Sequence, residues 1–228
     1  MNIYLLVEGA ETELQVYPQW ISYIIPELTK VNSFNSIVGN SYYIFSGQGI
    51  PSIYNHAVNA IKDINAIGKY DYLIIALDAE ELSVEHRKRK VYEHLEKANI
   101  KLNDNCKLEI IVHNRCIETW FLGNPKVYKR NPQGDTFRRY TEHYNVEIND
   151  PELMQKLPEF SRTAHFHESY LREMFKEYNI RYRKSRPKEV IKDYYFQELV
   201  KRVNHLPDHL KSLTYFIDLF NRIKSEIK

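Results

Sequence analysis

Four short apolar runs stand out along the chain: Ile3 to Val7, Tyr42 to Phe45, Tyr72 to Leu77 and Leu108 to Val112. Each has the length of a strand and is too short for a helix. Between them the apolar positions recur at helical spacing, first Tyr17, Ile21, Ile24 and Leu28, then Ile53, Ala57, Ala60, Ile61 and Ile64, then Val84, Val91 and Leu95. The predicted order is therefore β-α-β-α-β-α-β. Strands that are nearly continuous in apolar residues, such as YLIIAL, and that alternate with helices belong to a sheet buried on both faces and joined by right-handed crossovers. The fold class expected is α/β, a mostly parallel four-stranded sheet flanked by helices.

Thr12 with Gln15 has the form of a capping box, which places residues 8 to 11 in the loop before the first helix. Pro18 is expected to kink or restart that helix. After Gly123 the chain becomes rich in Tyr, Arg and Lys and is punctuated by Pro125, Pro132, Pro151, Pro158, Pro187 and Pro207. Helices are predicted over 165–178, 188–204 and 208–226, the last with Leu210, Leu213, Phe216, Ile217, Phe220 and Ile223 on one face. The division expected is an α/β domain over 1–123 and a mostly helical region over 124–228, without repeats or low-complexity tracts.

Composition agrees with a folded protein, since 228 residues with 43% hydrophobic content can bury a real core. The net charge of +2 conceals 32 basic and 30 acidic residues, so clustering matters more than the sum. Cys106 and Cys116 make neither a disulfide framework nor a zinc spacing and read as reduced thiols. The N-terminal apolar run is too short for a signal peptide or a membrane span, and a cytoplasmic protein without membrane attachment is expected.

In doubly wound sheets ligands bind beyond the carboxyl ends of the strands. The first run ends in Glu8-Gly9, the third in Asp78-Ala79-Glu80-Glu81, and Glu118 follows the fourth closely. The remaining end is Ser46-Gly47-Gln48-Gly49. Asp78 and Glu80, two apart in an extended segment, are expected to point to one side and reach one cation. Like charges gathered at a sheet edge repel unless a cation sits among them, and hard oxygen ligands select Mg2+ or Mn2+. Although the chain holds only seven glycines, Gly9, Gly47 and Gly49 all fall at these ends. The bland alternative for any single acid is a cap on the following helix.

A first strand ending in Glu-Gly and a third ending in an acidic pair resemble the TOPRIM fold of topoisomerases, primases and OLD-type nucleases. The stretch His113-Asn114-Arg115-Cys116-Ile117-Glu118-Thr119-Trp120-Phe121-Leu122 is similar to the corresponding segment of small defence-associated TOPRIM proteins of the RloB and AriB kind. The resemblance covers about residues 1 to 123. Asp78-Ala79-Glu80 stands where Asp-x-Asp is usual, and Glu8-Gly9-Ala10-Glu11-Thr12-Glu13 has one residue more than the common Glu-Gly-x-Thr-Glu, which leaves open whether Glu11 or Glu13 assists.

This resemblance implies a TOPRIM-like (Rossmannoid) domain and a metal-dependent endonuclease acting on DNA or RNA. Glu8 would serve as general acid/base or metal ligand, Asp78 and Glu80 would bind the metal, and Glu118 would complete a first or second site. It further implies an effector of anti-phage defence held inactive by a separate ABC-type ATPase, and it allows a homodimer. Such a nuclease activates water on its cation and needs no covalent nucleophile. A haloacid-dehalogenase reading fails because the first strand ends in Glu8, and a topoisomerase would need further domains. A catalytically silent nucleic-acid-binding or protein-interaction subunit is the rival reading, since the chain carries no P-loop lysine motif.

Two basic runs are available for phosphates. Arg87, Lys88, Arg89 and Lys90 point all round one helix, so only Lys88 or Arg89 is expected to reach substrate. Arg181, Arg183, Lys184, Arg186 and Lys188 surround Tyr182 at a predicted break between helices, and Lys184 is a candidate for the cation beside the scissile phosphate. Lys126, Lys129, Arg130, Arg138 and Arg139 offer an extension of that track. His113 is either a phosphate donor or a packed residue, and His165 and His167 read as structural.

Overall fold

The computed structural model describes residues 1–227 of the 228. The chain divides into two compact units, one made of residues 1–77, 83–112 and 216–228 and the other of residues 78–82 and 113–215.

The architecture is α/β, with an all-parallel sheet of five strands flanked by helices. The strands are β1 (Asn2–Val7), β2 (Thr29–Val31), β3 (Ser41–Ser46), β4 (Tyr72–Asp78) and β5 (Lys107–His113). The four apolar runs each form a strand, and β2 is the addition. Its two exposed residues and one half-buried residue pair in parallel with β3, Thr29 opposite Ser41, at the sheet edge. An edge strand of three residues without a buried face leaves no apolar run to read.

The strand order is β2-β3-β1-β4-β5. From β1 the chain runs through α1 (Glu13–Ile24) toward the β2 edge, whereas from β4 it runs through α3 (Val84–Lys97) to β5 at the opposite edge. Helix α2 (Ser52–Ile67) carries it from β3 across β1 to β4. The direction of winding thus reverses between β1 and β4, which makes their carboxyl ends the topological switch point where such sheets open a crevice.

Residues 3–7 of β1 and 72–77 of β4 are all buried, as strands covered on both faces must be. Tyr4 meets Tyr43, Phe45 and Tyr70 edge-on at 5.2 to 5.7 Å. Tyr17 and Trp20 of α1 pack edge-on against Phe216, at the start of the α8 segment that belongs to this unit. Each fully buried large apolar side chain of this kind contributes about 1.5–3 kcal/mol.

Helix α1 runs unbroken through Pro18, its sixth residue, so the helix does not restart there. The missing N–H forfeits a single backbone bond, and buried Val16, Tyr17, Trp20 and Ile21 hold the helix in place. Thr12 stands at the N-cap but has helical backbone angles, and its side chain makes no capping bond. The Gln15 amide donates to the Glu11 carbonyl instead, so the expected capping box does not form.

The second unit is built from α4 (Ile117–Phe121), α5 (Asp135–His143), α6 (Thr163–Lys176), α7 (Asp193–His205) and the first residues of α8 (Lys211–Glu226). The three predicted helices correspond to α6, α7 and α8, although α7 begins after a turn at 188–191. Phe137, Tyr140, Phe166 and Tyr170 form its aromatic core, with ring centroids 5.1 to 6.0 Å apart. Arg202, 5% exposed, donates to the carbonyls of Gly123, Val146 and Asn149 at 2.7 to 3.1 Å and so satisfies backbone groups of the loops around it. Both cysteines are buried and free. Among the described residues no helix is long and apolar enough to cross a membrane.

Candidate functional site

At the end of β1 the Glu8 N–H donates to Ala76 O at 2.9 Å, two residues before the last residue of β4. The Glu8 carbonyl accepts from Gly49 N at 3.0 Å and from Ser46 Oγ at 3.3 Å, and Gly47 N donates to Val7 O at 2.7 Å. The loop after β3 is thereby laced to the end of β1. Glycine is required at Gly47, where an added Cβ would lie 2.7 Å from Ile53 Cβ and 2.8 Å from Ile53 Cα. Glu13, in the first turn of α1, folds back and accepts the Gly9 N–H at 3.1 Å. It is buried whereas Glu11 is exposed, so of the two acids left open by the sequence, Glu13 is the one turned onto the Glu8-Gly9 loop.

The last residues of β4 and β5 form a carboxylate–imidazole pair, with His113 Nδ1 donating to Asp78 Oδ1 at 2.7 Å. The His113 side chain is fully buried, whereas Asp78 keeps 22% of its side chain exposed. Trp120 meets the imidazole edge-on at 4.5 Å, and its indole N–H donates to Ser212 Oγ at 2.6 Å. Ser212 in turn donates to the buried Glu152. The histidine is held by packing, and the histidine orients the aspartate.

Glu80 departs from the expected geometry. The extended segment ends at Asp78, and Glu80 has φ of +52°, in the left-handed region that disfavours a residue with a side chain. Two-residue alternation therefore does not carry from Asp78 to Glu80. Arg115, at φ +77°, accepts the Glu80 N–H on its carbonyl and returns a bond from Nη1 to the Glu80 carbonyl. The Glu80 carboxylate lies 3.1 Å from Arg162 Nη1. Glu81 accepts the backbone and hydroxyl hydrogens of Thr163, the first residue of α6. Burial pulls its pKa up, but these two bonds and then the charges of Arg115 and Lys156 leave it below the usual carboxylate range.

Glu118 and Lys184, nominated separately by the sequence, are partners. Glu118 sits in the first turn of α4 with a side chain 1% exposed, and its Oε1 accepts from Tyr182 OH at 3.0 Å and lies 3.4 Å from Lys184 Nζ. Glu168 Oε2 flanks the same ammonium at 3.2 Å. Burial alone lowers the Lys184 pKa, but Glu118 and then Glu168 raise it well above the ordinary lysine value. Lys184 is thus a fixed cation between two carboxylates. The buried Cys116 thiol is pushed far up, first by burial and then by the charges of Glu118 and Asp78, which brings both carboxylates into the surroundings of one side chain.

Of the basic residues, Arg87 is buried and donates to Tyr54 OH at 3.0 Å. Lys88 is half-buried and Arg89 exposed on α3. Arg181, Arg183 and Arg186 are exposed in the connection between α6 and α7. His167 is fully buried, with Nε2–H donating to Met154 O and Nδ1 accepting from Thr119, which bears out its structural reading.

Sequence reasoning did not single out Arg162 or Glu168, which meet Glu80 and Lys184 across long stretches of chain, and it quoted Trp120 within the resemblance motif without giving it a role. It did register His113, whose signal was its place at a strand end. The donor set at the acidic strand ends, carboxylate oxygens beside an imidazole, suits a divalent cation chemically. In comparisons with family models, with curated proteins and with solved structures, nothing matches this chain.

Proposed function

We propose that this chain is a metal-dependent nuclease of TOPRIM type, with Glu8 and Asp78 as the principal cation ligands at the carboxyl ends of β1 and β4. The observation that carries this reading is the reversal of winding between those two strands, with Glu8 directly after β1 and Asp78 the last residue of β4. Bound there, Mg2+ or Mn2+ would stabilise charge on a scissile phosphate and lower the pKa of an attacking water. His113 fixes the orientation of the Asp78 carboxylate, whose side chain keeps 22% of its surface exposed. Glu13 anchors the Gly9 N–H and holds the loop that carries Glu8. Lys184 and Glu118 supply a charge pair in which the carboxylate side chain is buried and the lysine side chain is 46% exposed, from which the cation would meet a phosphate. The partner ATPase and the defence role belong to the same proposal and rest on the resemblance alone.

The rival reading, a silent binding subunit, is favoured by one feature: Glu80 and Glu118 are already matched by Arg162 and Lys184. The two readings separate in one experiment. Wild type, Glu8→Gln and Asp78→Asn are incubated with plasmid, single-stranded DNA and tRNA in Mg2+, Mn2+ or EDTA, and Mn2+ binding is measured by calorimetry. Cutting that requires metal and disappears in both variants, together with Mn2+ binding, supports the nuclease. Metal-dependent cutting that survives both substitutions removes Glu8 and Asp78 from the site, and the absence of both cutting and metal binding in wild type leaves the silent subunit.

A further inference from the structure

The segment from Asn179 to Lys184 does more than join α6 to α7. Tyr182 OH and Lys184 Nζ both reach Glu118 Oε1. The neighbouring Arg181 is exposed and, together with Tyr182, lines a cleft of about 560 Å³ whose other lining residues are Arg172, Lys176, Asn179 and Ile180. Three cations line this cleft and no carboxylate does.

We propose that this cleft holds a backbone phosphate of the nucleic-acid strand, an inference that rests on the nuclease reading. The volume falls in the range of small-ligand sites, roughly 300–1,000 Å³, and accommodates a phosphate with its sugar. Arg172 and Lys176 stand four apart on one face of α6, near its C-terminal end, where cations also complement the helix dipole. That role does not extend to Arg181, which lies beyond the helix and, among the described residues, makes no hydrogen bond or ion pair. Arg172 pairs with Glu168 and Lys176 with Glu173, but both cations are about half exposed or more. Exposed pairs of this kind are worth under about 1 kcal/mol, so a phosphate displaces them readily. Tyr182 lines the cleft and bonds Glu118, so the cleft adjoins the Glu118–Lys184 pair through one shared residue.

The test uses the full chain and a fluorescein-labelled single-stranded oligonucleotide, with affinity measured from 50 to 300 mM salt. Lys176→Gln/Arg181→Gln is compared with wild type and with Lys201→Gln/Lys211→Gln, which removes two exposed cations outside the cleft. Thermal melts check that each variant folds. The cleft variant is expected to bind about tenfold more weakly and to flatten the slope of log affinity against log salt by about 0.7, the loss of one single-strand phosphate contact. The other double variant is expected to keep the wild-type slope. An unchanged slope in the cleft variant, or an equal loss in both, overturns the cleft and leaves the nuclease reading standing. Wild type that does not bind the oligonucleotide overturns both. Binding through the cleft without metal-dependent cutting upholds the cleft and overturns the nuclease.

Discussion

His113 Nδ1 lies 2.7 Å from Asp78 Oδ1, joining the last residue of β5 to the last residue of β4. The buried ring limits the aspartate to one orientation, and Trp120 limits the ring. His113→Ala is expected to remove about 2–3 kcal/mol of stability, since it opens a cavity beside Trp120 and leaves Asp78 without its donor. Asp78→Asn keeps the shape and is expected to cost about 1 kcal/mol. Urea unfolding measures both. Mn2+ calorimetry is expected to show lost affinity in Asp78→Asn and an affinity weakened about tenfold or more in His113→Ala.

The Glu118–Lys184 pair is asymmetric, with a glutamate side chain 1% exposed and a lysine side chain 46% exposed. Removing the cation leaves a buried anion that accepts a hydrogen bond from Tyr182. Lys184→Met is expected to cost about 2 kcal/mol, below the range for fully buried pairs because the lysine side chain is partly exposed. Glu118→Gln/Lys184→Met is expected to be more stable than Lys184→Met alone. A double-mutant cycle by urea unfolding measures this, and additive losses would show the pair to be uncoupled.

His167 gives the fold an acid limit. Burial, the largest influence, pushes its pKa down to about 4, so the folded protein holds the imidazole neutral where an unfolded chain near 6.5 takes up a proton. The unfolded state therefore binds more protons below pH 6.5, and stability falls as pH drops from 6.5 toward 4, by about 3 kcal/mol in all. Above 6.5 this contribution is complete and does not change. Unfolding midpoints measured from pH 4 to 7.5 are expected to slope in wild type and to lose that slope in His167→Gln.

Within the run Arg87 to Lys90, Arg87 is buried and Arg89 is exposed. Arg87→Ala is expected to cost about 1–3 kcal/mol, because the buried guanidinium binds Tyr54. Arg89→Gln, on the exposed side of the same helix, is expected to stay within about 0.5 kcal/mol. Thermal melts of the two variants check the contrast.

The strands β1, β3, β4 and β5 were legible because burial on both faces forces unbroken apolar runs, and that constraint acts on each strand separately. The carboxylates following those runs were legible for the same reason. Strand β2 was not, because Thr29, Lys30 and Val31 gain their place only by pairing with Ser41 to Tyr43. Helix α4 was missed because it is only five residues long and all of them are buried, leaving no polar face to set a period.

By itself the sequence determined the element types and which side chains fall at strand ends, since local periodicity and burial dictate both. Only the tertiary structure decided the strand order and hence that β1 and β4 flank the reversal of winding. It alone paired His113 with Asp78, gave Glu80 to Arg162, and set Lys184 between Glu118 and Glu168. These outcomes depend on groups far apart in the chain meeting at bonding distance, and a buried charge takes whichever opposite charge the fold brings to it.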